Sequence, residues 1–345
     1  MADTKKEHFV PRCYLKHFVS ETERINVFDK VTLGKRNQRI LDVAMENYFY
    51  DIDFCKLLDS VPPDKIDEVK QDLMKIVDTD CWEAVEAALD KKHLEKEFFS
   101  RMEATYSKLL EEIIRKAYGG NAWVIDHCRA LSSEEKVSLS LFIAIQIIRT
   151  KSFRENIKNI TEKLHQHIAY ILQAQEENAV SKDEIRVTAN DDYVKLEHSS
   201  IILDEEMAID VAKTLLNHIW VMYVNKTDVP FYTSDNPVAL IPHKHDKYMS
   251  YAGLKSEGIE IAFPVSPDLL IGIYDEEVYK DLFVDRQFLR LESPQDAEYF
   301  NRAQVFSSLR CVFSNKDDFN LAEAICKEYP SIRDYKDRFT ERHSQ

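Results

Sequence analysis

The sequence predicts an α+β fold that is predominantly helical, with long helices packed against a small, mainly antiparallel sheet. Apolar residues recur at helical spacing through most of residues 94–175, and short strand-like segments cluster between about residues 229 and 275. Neither G-x-G-x-x-G nor a P-loop motif occurs among the six glycines, so a nucleotide-binding parallel sheet is not expected. We expect one domain over residues 1–315 and a polar C-terminal helix and tail over residues 316–345.

The N-terminal part predicts a short helix followed by strands. In "HFVPRCYLKHFV", Pro11 is placed at a helix start, and Tyr14 and Phe18 are one turn apart. "RINVFDK" alternates as a strand does, and "RILDVAMENYFYD" predicts a second strand or an ordered loop. An acidic helical region follows, from about Asp64 to Asp90.

The middle of the chain predicts two long helices. The first, within "LEKEFFSRMEATYSKLLEEIIRKAYGG", repeats apolar residues from Phe98 to Ala117 and stops at Gly119 and Gly120. The second opens at a capping box formed by Ser132 and Glu135, and it could run past forty residues with a kink.

The last third predicts a hairpin, two helices and the small sheet. "EIRVTANDDYVKLEH" alternates on both sides of a polar turn, which indicates a hairpin. Helical spacing returns from Asp204 to about Val224 and again from about Pro294 to Phe313. Between these helices lie the strand-like pieces "VPFYTSD", "IEIAFPVS" and "LLIGIYD".

The composition limits the kinds of binding partner that we expect. The net charge of −15 opposes nonspecific binding to nucleic acid, although a local basic cleft remains compatible with it. The six cysteines form no C-x-x-C pair, which fits reduced thiols, and no segment looks like a signal peptide or a membrane span. We therefore expect a cytoplasmic protein without a membrane partner; the oligomeric state stays open.

Two polar residues interrupt the apolar helix "LSLFIAIQIIRT". Gln146 and Arg149 share one face, with Thr150 one turn beyond Gln146. A buried guanidinium needs an acidic partner, and we expect Asp235 to be that partner. The alternative is a salt bridge that only serves the architecture. Glu103 borders its helix's apolar face and could supply a carboxylate inward, but we interpret it as a solvated boundary residue.

The stretch "FYTSDNPVAL" places Thr233, Ser234, Asp235 and Asn236 in a row at the end of a strand. A simple Asx turn enforced by the following proline would explain these residues. They could instead present chemistry to a site, which would draw in His8, the natural acid or base near neutral pH.

These stretches resemble a largely microbial family known as domain of unknown function 4238. The likeness lies in "HFVPRCYLKHF", "NYFY", "QIIRT", "TSDNP" and "FPVSP", in that order, and in an asparagine of the late helix; residues 55–100 match little. The resemblance implies that six polar residues belong together: His8, Gln146, Arg149, Asp235, Asn236 and Asn301.

The first hypothesis for function is a hydrolase that cleaves phosphodiesters in nucleic acid or a nucleotide, in a toxin or phage-defence setting. His8 and Asp235 would act as acid and base, or Asp235 would bind a divalent metal. Anion-holding residues would be Gln146, Arg149, Thr150, Thr233, Ser234, Asn236 and Asn301. The alternative is a noncatalytic sensor or binding module for a small anionic ligand or a protein partner. A third possibility is a purely structural cluster.

Overall fold

The computed structural model describes residues 6–19, 23–59, 61–76, 78–89, 99–119, 129–173, 186–244 and 251–334. Its contacts divide the chain into two compact units whose segments alternate along the sequence. The first unit comprises residues 1–7, 47–100 and 152–204, and the second comprises residues 8–46, 101–151 and 205–345. The predicted class is confirmed: the fold is α+β, predominantly helical, with mainly antiparallel sheets. The single domain over residues 1–315 stays a prediction.

The helices of the described chain vary from one turn to six. They are α1 Arg12–Leu15, α2 Phe54–Asp59, α3 Ile66–Ile76, α4 Trp82–Leu89, α5 Ser100–Gly119, α6 Ser133–Ile148, α7 Lys151–Gln173, α8 Asp191–Leu203, α9 Glu205–Leu216, α10 Glu276–Tyr279, α11 Pro294–Ser307 and α12 Asn320–Glu328. Short 3-10 helices lie at Lys16–Phe18, Ile40–Asp42, Pro63–Lys65 and Pro330–Arg333.

The strands are concentrated in the second unit. They are β1 Lys6–His8, β2 Arg24–Asp29, β3 Gly34–Arg39, β4 Met45–Asn47, β5 Ile219–Asn225, β6 Thr233–Ser234, β7 Ala239–Ile241, β8 Glu260–Ser266, β9 Leu269–Tyr274, β10 Gln287–Leu291 and β11 Cys311–Ser314.

One sheet of the second unit has four antiparallel strands in the order β3-β2-β11-β6. Strand β11 falls where the sequence predicted the end of a helix, and that prediction is wrong. Helix α11 ends at Ser307, and the extended Ser308 turns the chain away. Val312 and Phe313 then fill a core, as β-branched and aromatic residues do in strands.

The other sheet has five strands in the order β10-β5-β9-β8-β7, and only the β10 and β5 pair is parallel. The predicted helix from Asp204 to Val224 is wrong in its second half, because "IWVMYVN" forms β5 with every residue buried. A continuous apolar run fits a strand covered on both faces. The first half is confirmed as helix α9, which packs on α6.

The long predicted helix is two helices. Ser132 and Glu135 form the predicted capping box of α6, and the chain breaks at Arg149 and Thr150 before α7 begins. The predicted hairpin is wrong: the Asn190 side chain accepts from two backbone N–H groups and caps α8, so the polar residues start a helix instead of a turn. Phe98, Gly120 and the tail from residue 335 lie outside the described residues.

The first unit buries its own core. Side chains from α2, α3, α4 and α8 meet Ile52, which precedes α2, in one cluster; the helical members are Leu57, Leu73, Val85 and Leu196. In the described part of the chain, none of the helices combines the length and the apolar character that crossing a membrane requires.

Candidate functional site

Arg149 is buried as predicted, but its acidic partner is a different residue. The side chain is 1% exposed, and Nη1 donates to Glu103 Oε1 at 3.0 Å. Nη2 donates to the backbone carbonyl of His8 at 2.6 Å. The predicted pairing with Asp235 is therefore wrong, and Glu103 on α5, interpreted as a solvated residue, supplies the carboxylate that a buried guanidinium requires.

Asp235 binds backbone instead of a side-chain cation. Oδ1 accepts from the N–H of Leu309 at 2.8 Å, and Oδ2 accepts from the N–H groups of Arg310 and Cys311, each at 2.8 Å. Burial raises the pKa of Asp235, while these N–H groups and the nearby Lys30 oppose the rise. The carboxylate therefore fixes the segment that leads into β11.

The two hydroxyl residues before Asp235 are also bound inside the second unit. Tyr14 donates to the Pro264 carbonyl at 2.7 Å, and its oxygen lies 2.6 Å from Thr233 Oγ1. Ser234 Oγ donates to Gln304 Oε1 at 3.0 Å. Both residues are fully buried, so neither hydroxyl reaches solvent.

The two predicted asparagines hold the same segment against α11. Asn236 Nδ2 donates to the carbonyl of Ser307 at 3.0 Å. Asn301 accepts from the N–H of Tyr232 at 2.7 Å and donates to the carbonyl of Pro230 at 2.8 Å. Each amide side chain therefore supplies hydrogen-bond partners that the backbone of this irregular segment would otherwise lack.

His8, Gln146 and Thr150 lie at the N-terminal segment and the end of α6. Burial, followed by the charges of Arg12 and Arg149, lowers the pKa of His8 to about 4, so the imidazole is neutral near pH 7. Gln146 Nε2 donates to the carbonyl of Phe9 at 3.3 Å. Thr150 Oγ1 donates to the carbonyl of Ile147, inside its own helical turn.

The second unit also contains an open cleft of about 390 Å³. Of the nine residues predicted to form a site, only Asp235 lines this cleft. The rest of the lining is Phe9, Arg36, Gln38, Asp42, Val43, Ala44, Met45, Glu46, Lys151, Leu309, Arg310, Cys311 and Phe313.

Two arginines of the cleft are held by one buried carboxylate. Asp29, at the end of β2, is 1% exposed; its Oδ2 accepts from Arg310 Nε at 3.0 Å and Nη2 at 2.8 Å. The same oxygen accepts from Arg36 Nη1 at 3.2 Å. Burial favours a raised pKa for Asp29, but the hydrogen bonds from the two arginines outweigh it and lower the pKa. Two guanidinium charges thus share the Asp29 carboxylate, and the charge of Asp235 also acts on Arg310.

Other groups of the cleft are less reactive than their types suggest. Lys151 forms an ion pair with Glu46. Burial, followed by the charge of Asp235, raises the pKa of the Cys311 thiol to about 12, so it is not a thiolate nucleophile at neutral pH. Within the described ranges, no group of three or more His, Cys, Asp or Glu side chains is placed to hold a metal ion.

The "NYFY" motif contributes to a polar cluster in the first unit. The guanidinium carbon of Arg154 lies 3.4 Å from the ring centroid of Phe49, a cation–π contact, and Arg154 Nε donates to His198 Nδ1 at 3.1 Å. The imidazole of His198 also stacks on Tyr50. This motif therefore supplies aromatic surface around a buried cation.

Sequence reasoning missed the arginine pair of the cleft and the carboxylate that holds it: Arg36, Arg310 and Asp29. Asp29 lies at the end of a predicted strand. Arg36 lies in the strand "GKRNQR", which was not predicted because it lacks the alternating apolar residues that indicate a strand. Arg310 was placed inside a predicted helix. A correct β2 and β3 hairpin would have brought Asp29 and Arg36 together.

Comparisons with known proteins identify the family of this chain. A family model described as protein of unknown function (DUF4238) matches residues 6–318, which is nearly the whole chain. Searches among curated proteins and among solved structures found no match. The chain therefore belongs to this family of proteins of unknown function, as the resemblance of its motifs implied.

Proposed function

We propose that the second unit is a noncatalytic binding module whose cleft takes a small anionic ligand bearing a phosphate or carboxylate group. The observation that carries the proposal is the arginine pair, Arg36 and Arg310, anchored on the buried Asp29. Their side chains are 40% and 53% exposed, so both guanidinium groups keep surface toward the cleft.

The geometry of Arg310 suits recognition of an anion. Asp29 occupies Nε and Nη2 of Arg310, and Nη1 makes no hydrogen bond with any described residue. A guanidinium fixed on one edge presents its remaining donors without losing much side-chain freedom on binding. The cleft volume of about 390 Å³ suits a small ligand.

The acids that line the cleft have partners of their own. Glu46 is paired with Lys151, and Asp42 lies 3.4 Å from the guanidinium of Arg39. Asp235 accepts from three backbone N–H groups. Glu46 and Asp42 therefore already have cationic partners, which reduces their repulsion of an incoming anion.

Calorimetric titration with inorganic phosphate and with a nucleoside monophosphate tests the proposal. Because a hydrogen bond to a charged group contributes about 1.5–3 kcal/mol, Arg310→Gln should weaken binding about tenfold or more. Arg302→Gln is the matched control, since Arg302 is an exposed arginine of the same unit outside the cleft. Equal affinities in both variants, or no binding of either anion, would contradict the proposal.

The second candidate is the phosphodiester hydrolase, acting on nucleic acid or a nucleotide in a toxin or phage-defence setting in the cytoplasm. Its support is that Asp235, a group able to move a proton or bind a divalent metal, lines the same cleft as the arginine pair. His8 would then act from the neighbouring N-terminal segment.

Hydrolysis of bis-p-nitrophenyl phosphate with and without Mg²⁺ or Mn²⁺ separates the two candidates. A hydrolase should turn over, and Arg310→Gln should lower its rate while Arg302→Gln does not. Binding of phosphate with no turnover under any metal condition supports the noncatalytic module.

A further inference from the structure

The charged side chains that line the cleft are balanced in sign, three cationic and three acidic. They are Arg36, Lys151, Arg310, Asp42, Glu46 and Asp235. Because Asp235 is bound to backbone N–H groups, Asp42 and Glu46 are the acids that a ligand can reach. A binding surface complements the charges of what it binds, so this lining indicates a ligand that carries both signs.

The two signs come from different segments of the second unit. Arg36 on β3 and Asp29 on β2 lie on one face of the four-stranded sheet. Arg310 binds the same Asp29, so both arginines are held at this sheet face. Asp42 and Glu46 belong to the segment that follows β3, in which β4 is part of another sheet. A ligand in the cleft therefore meets its basic and its acidic contacts on separate segments.

Each of these segments retains a group that the described residues do not use. Asp29 takes Nε and Nη2 along one edge of the Arg310 guanidinium, and the outer edge, with Nη1 and the second hydrogen of Nη2, remains. Two parallel N–H groups on such an edge match the two oxygens of a carboxylate. On the acidic segment, Lys151 donates to Glu46 Oε1, and Oε2 accepts no hydrogen bond from a described residue.

We propose that the ligand of the cleft is a small amino acid, with its carboxylate on the outer edge of Arg310 and its ammonium group on Glu46. The inference rests on the proposed binding function and narrows its ligand class. Glu46 and Lys151 are 42% and 26% exposed, and an ion pair of that exposure is weak enough for the carboxylate to be shared with a second cation. The cleft volume of about 390 Å³ limits the ligand to a small molecule.

Calorimetric titration of the full chain compares three amino acids with the acids that lack only the amine. Glycine, β-alanine and 4-aminobutanoate are matched in length by acetate, propanoate and butanoate. At least one amino acid should bind about tenfold or more tightly than its matched acid, because its ammonium group gains a charged partner. Equal affinity within all three pairs would overturn the inference, and phosphate binding that depends on Arg310 would then leave the proposed function standing.

The variant Glu46→Gln assigns the ammonium contact. It should weaken binding of that amino acid about tenfold or more, while the matched acid binds as well as before or more tightly, since Lys151 loses its partner. Glu292→Gln is the control, because Glu292 is an exposed glutamate of the same unit outside the cleft. Equal weakening of both ligands by Glu46→Gln would assign Glu46 a structural role and overturn the proposal. Thermal melting of each variant confirms that the chain is folded.

Discussion

Two polar regions of the second unit differ in where their hydrogen bonds go. We call the first the polar lock, formed by Asp235, Asn236, Asn301 and Gln304; its side chains bind backbone groups, and Gln304 also accepts from the Ser234 hydroxyl. The second is the arginine pair on Asp29, whose guanidinium groups are partly exposed in the cleft. A polar residue satisfied by its own chain holds structure, and one with donors left facing a cleft can hold a ligand.

The difference matters because the "TSDNP" motif and the asparagine of the late helix lie in the polar lock. Asn301 and Gln304 each receive or donate hydrogen bonds to the segment around "TSDNP". Buried polar networks of this kind specify a single arrangement of the backbone. Motif residues that belong together in space therefore need not form a reactive centre.

The largest loss of stability should come from removing the Asp235 carboxylate from the polar lock. Asp235→Ala leaves three backbone N–H groups without their acceptor, so we expect the free energy of unfolding to fall by about 3–5 kcal/mol. Urea denaturation measures this loss. Asp228→Ala, an exposed carboxylate in the same unit, is the control. A loss below about 1 kcal/mol for Asp235→Ala would show that the lock is not structural.

The next effect is a pH dependence that comes from His8. Its pKa is about 4 in the folded chain and about 6.5 when unfolded, so protonation favours unfolding. The stabilising contribution is complete above pH 6.5 and is lost as pH falls towards 4, by about 3 kcal/mol in total. His17 shifts in the same direction, so the comparison must isolate one histidine. Subtracting the stability profile of His8→Gln from that of wild type should reveal the slope, and parallel profiles would refute it.

The buried ion pair at Arg149 gives a somewhat smaller effect. Glu103→Ala removes the carboxylate from Arg149 Nη1 and should lower the free energy of unfolding by about 2–3 kcal/mol. The double variant Glu103→Ala/Arg149→Met should recover part of the loss, because it no longer buries a cation without its carboxylate. Additive losses in chemical denaturation would indicate that the two side chains act independently.

The parts of the fold that sequence predicted are those set by local physics. The Ser132 and Glu135 capping box and the apolar period of α5 depend on neighbours within a few residues. Strand β5 was missed because a short apolar run does not distinguish a buried strand from a helix. Whether such a run forms a strand or a helix depends on the elements that cover it in the folded chain.

The candidate site was predicted in part for the same reason. Burial of Arg149 followed from an apolar helix, but the identity of its partner depends on how α5 packs. The contact between Asp29 and Arg310 joins residues 281 positions apart, and no local pattern marks either one. Residues that act through tertiary contact alone were therefore the ones that sequence reasoning missed.

The smallest stability effect, and the sharpest contrast with the lock, should come from Arg310→Gln. Asp29 keeps its bonds from Arg36 Nη1 and from the N–H groups of Val31 and Thr32, so the buried carboxylate retains partners. A half-exposed ion pair contributes little, and we expect a change within about 1 kcal/mol in urea denaturation. Phosphate binding should weaken at the same time. A large loss of stability would instead assign Arg310 to the lock, because an arginine that serves a ligand can be removed without unfolding the chain.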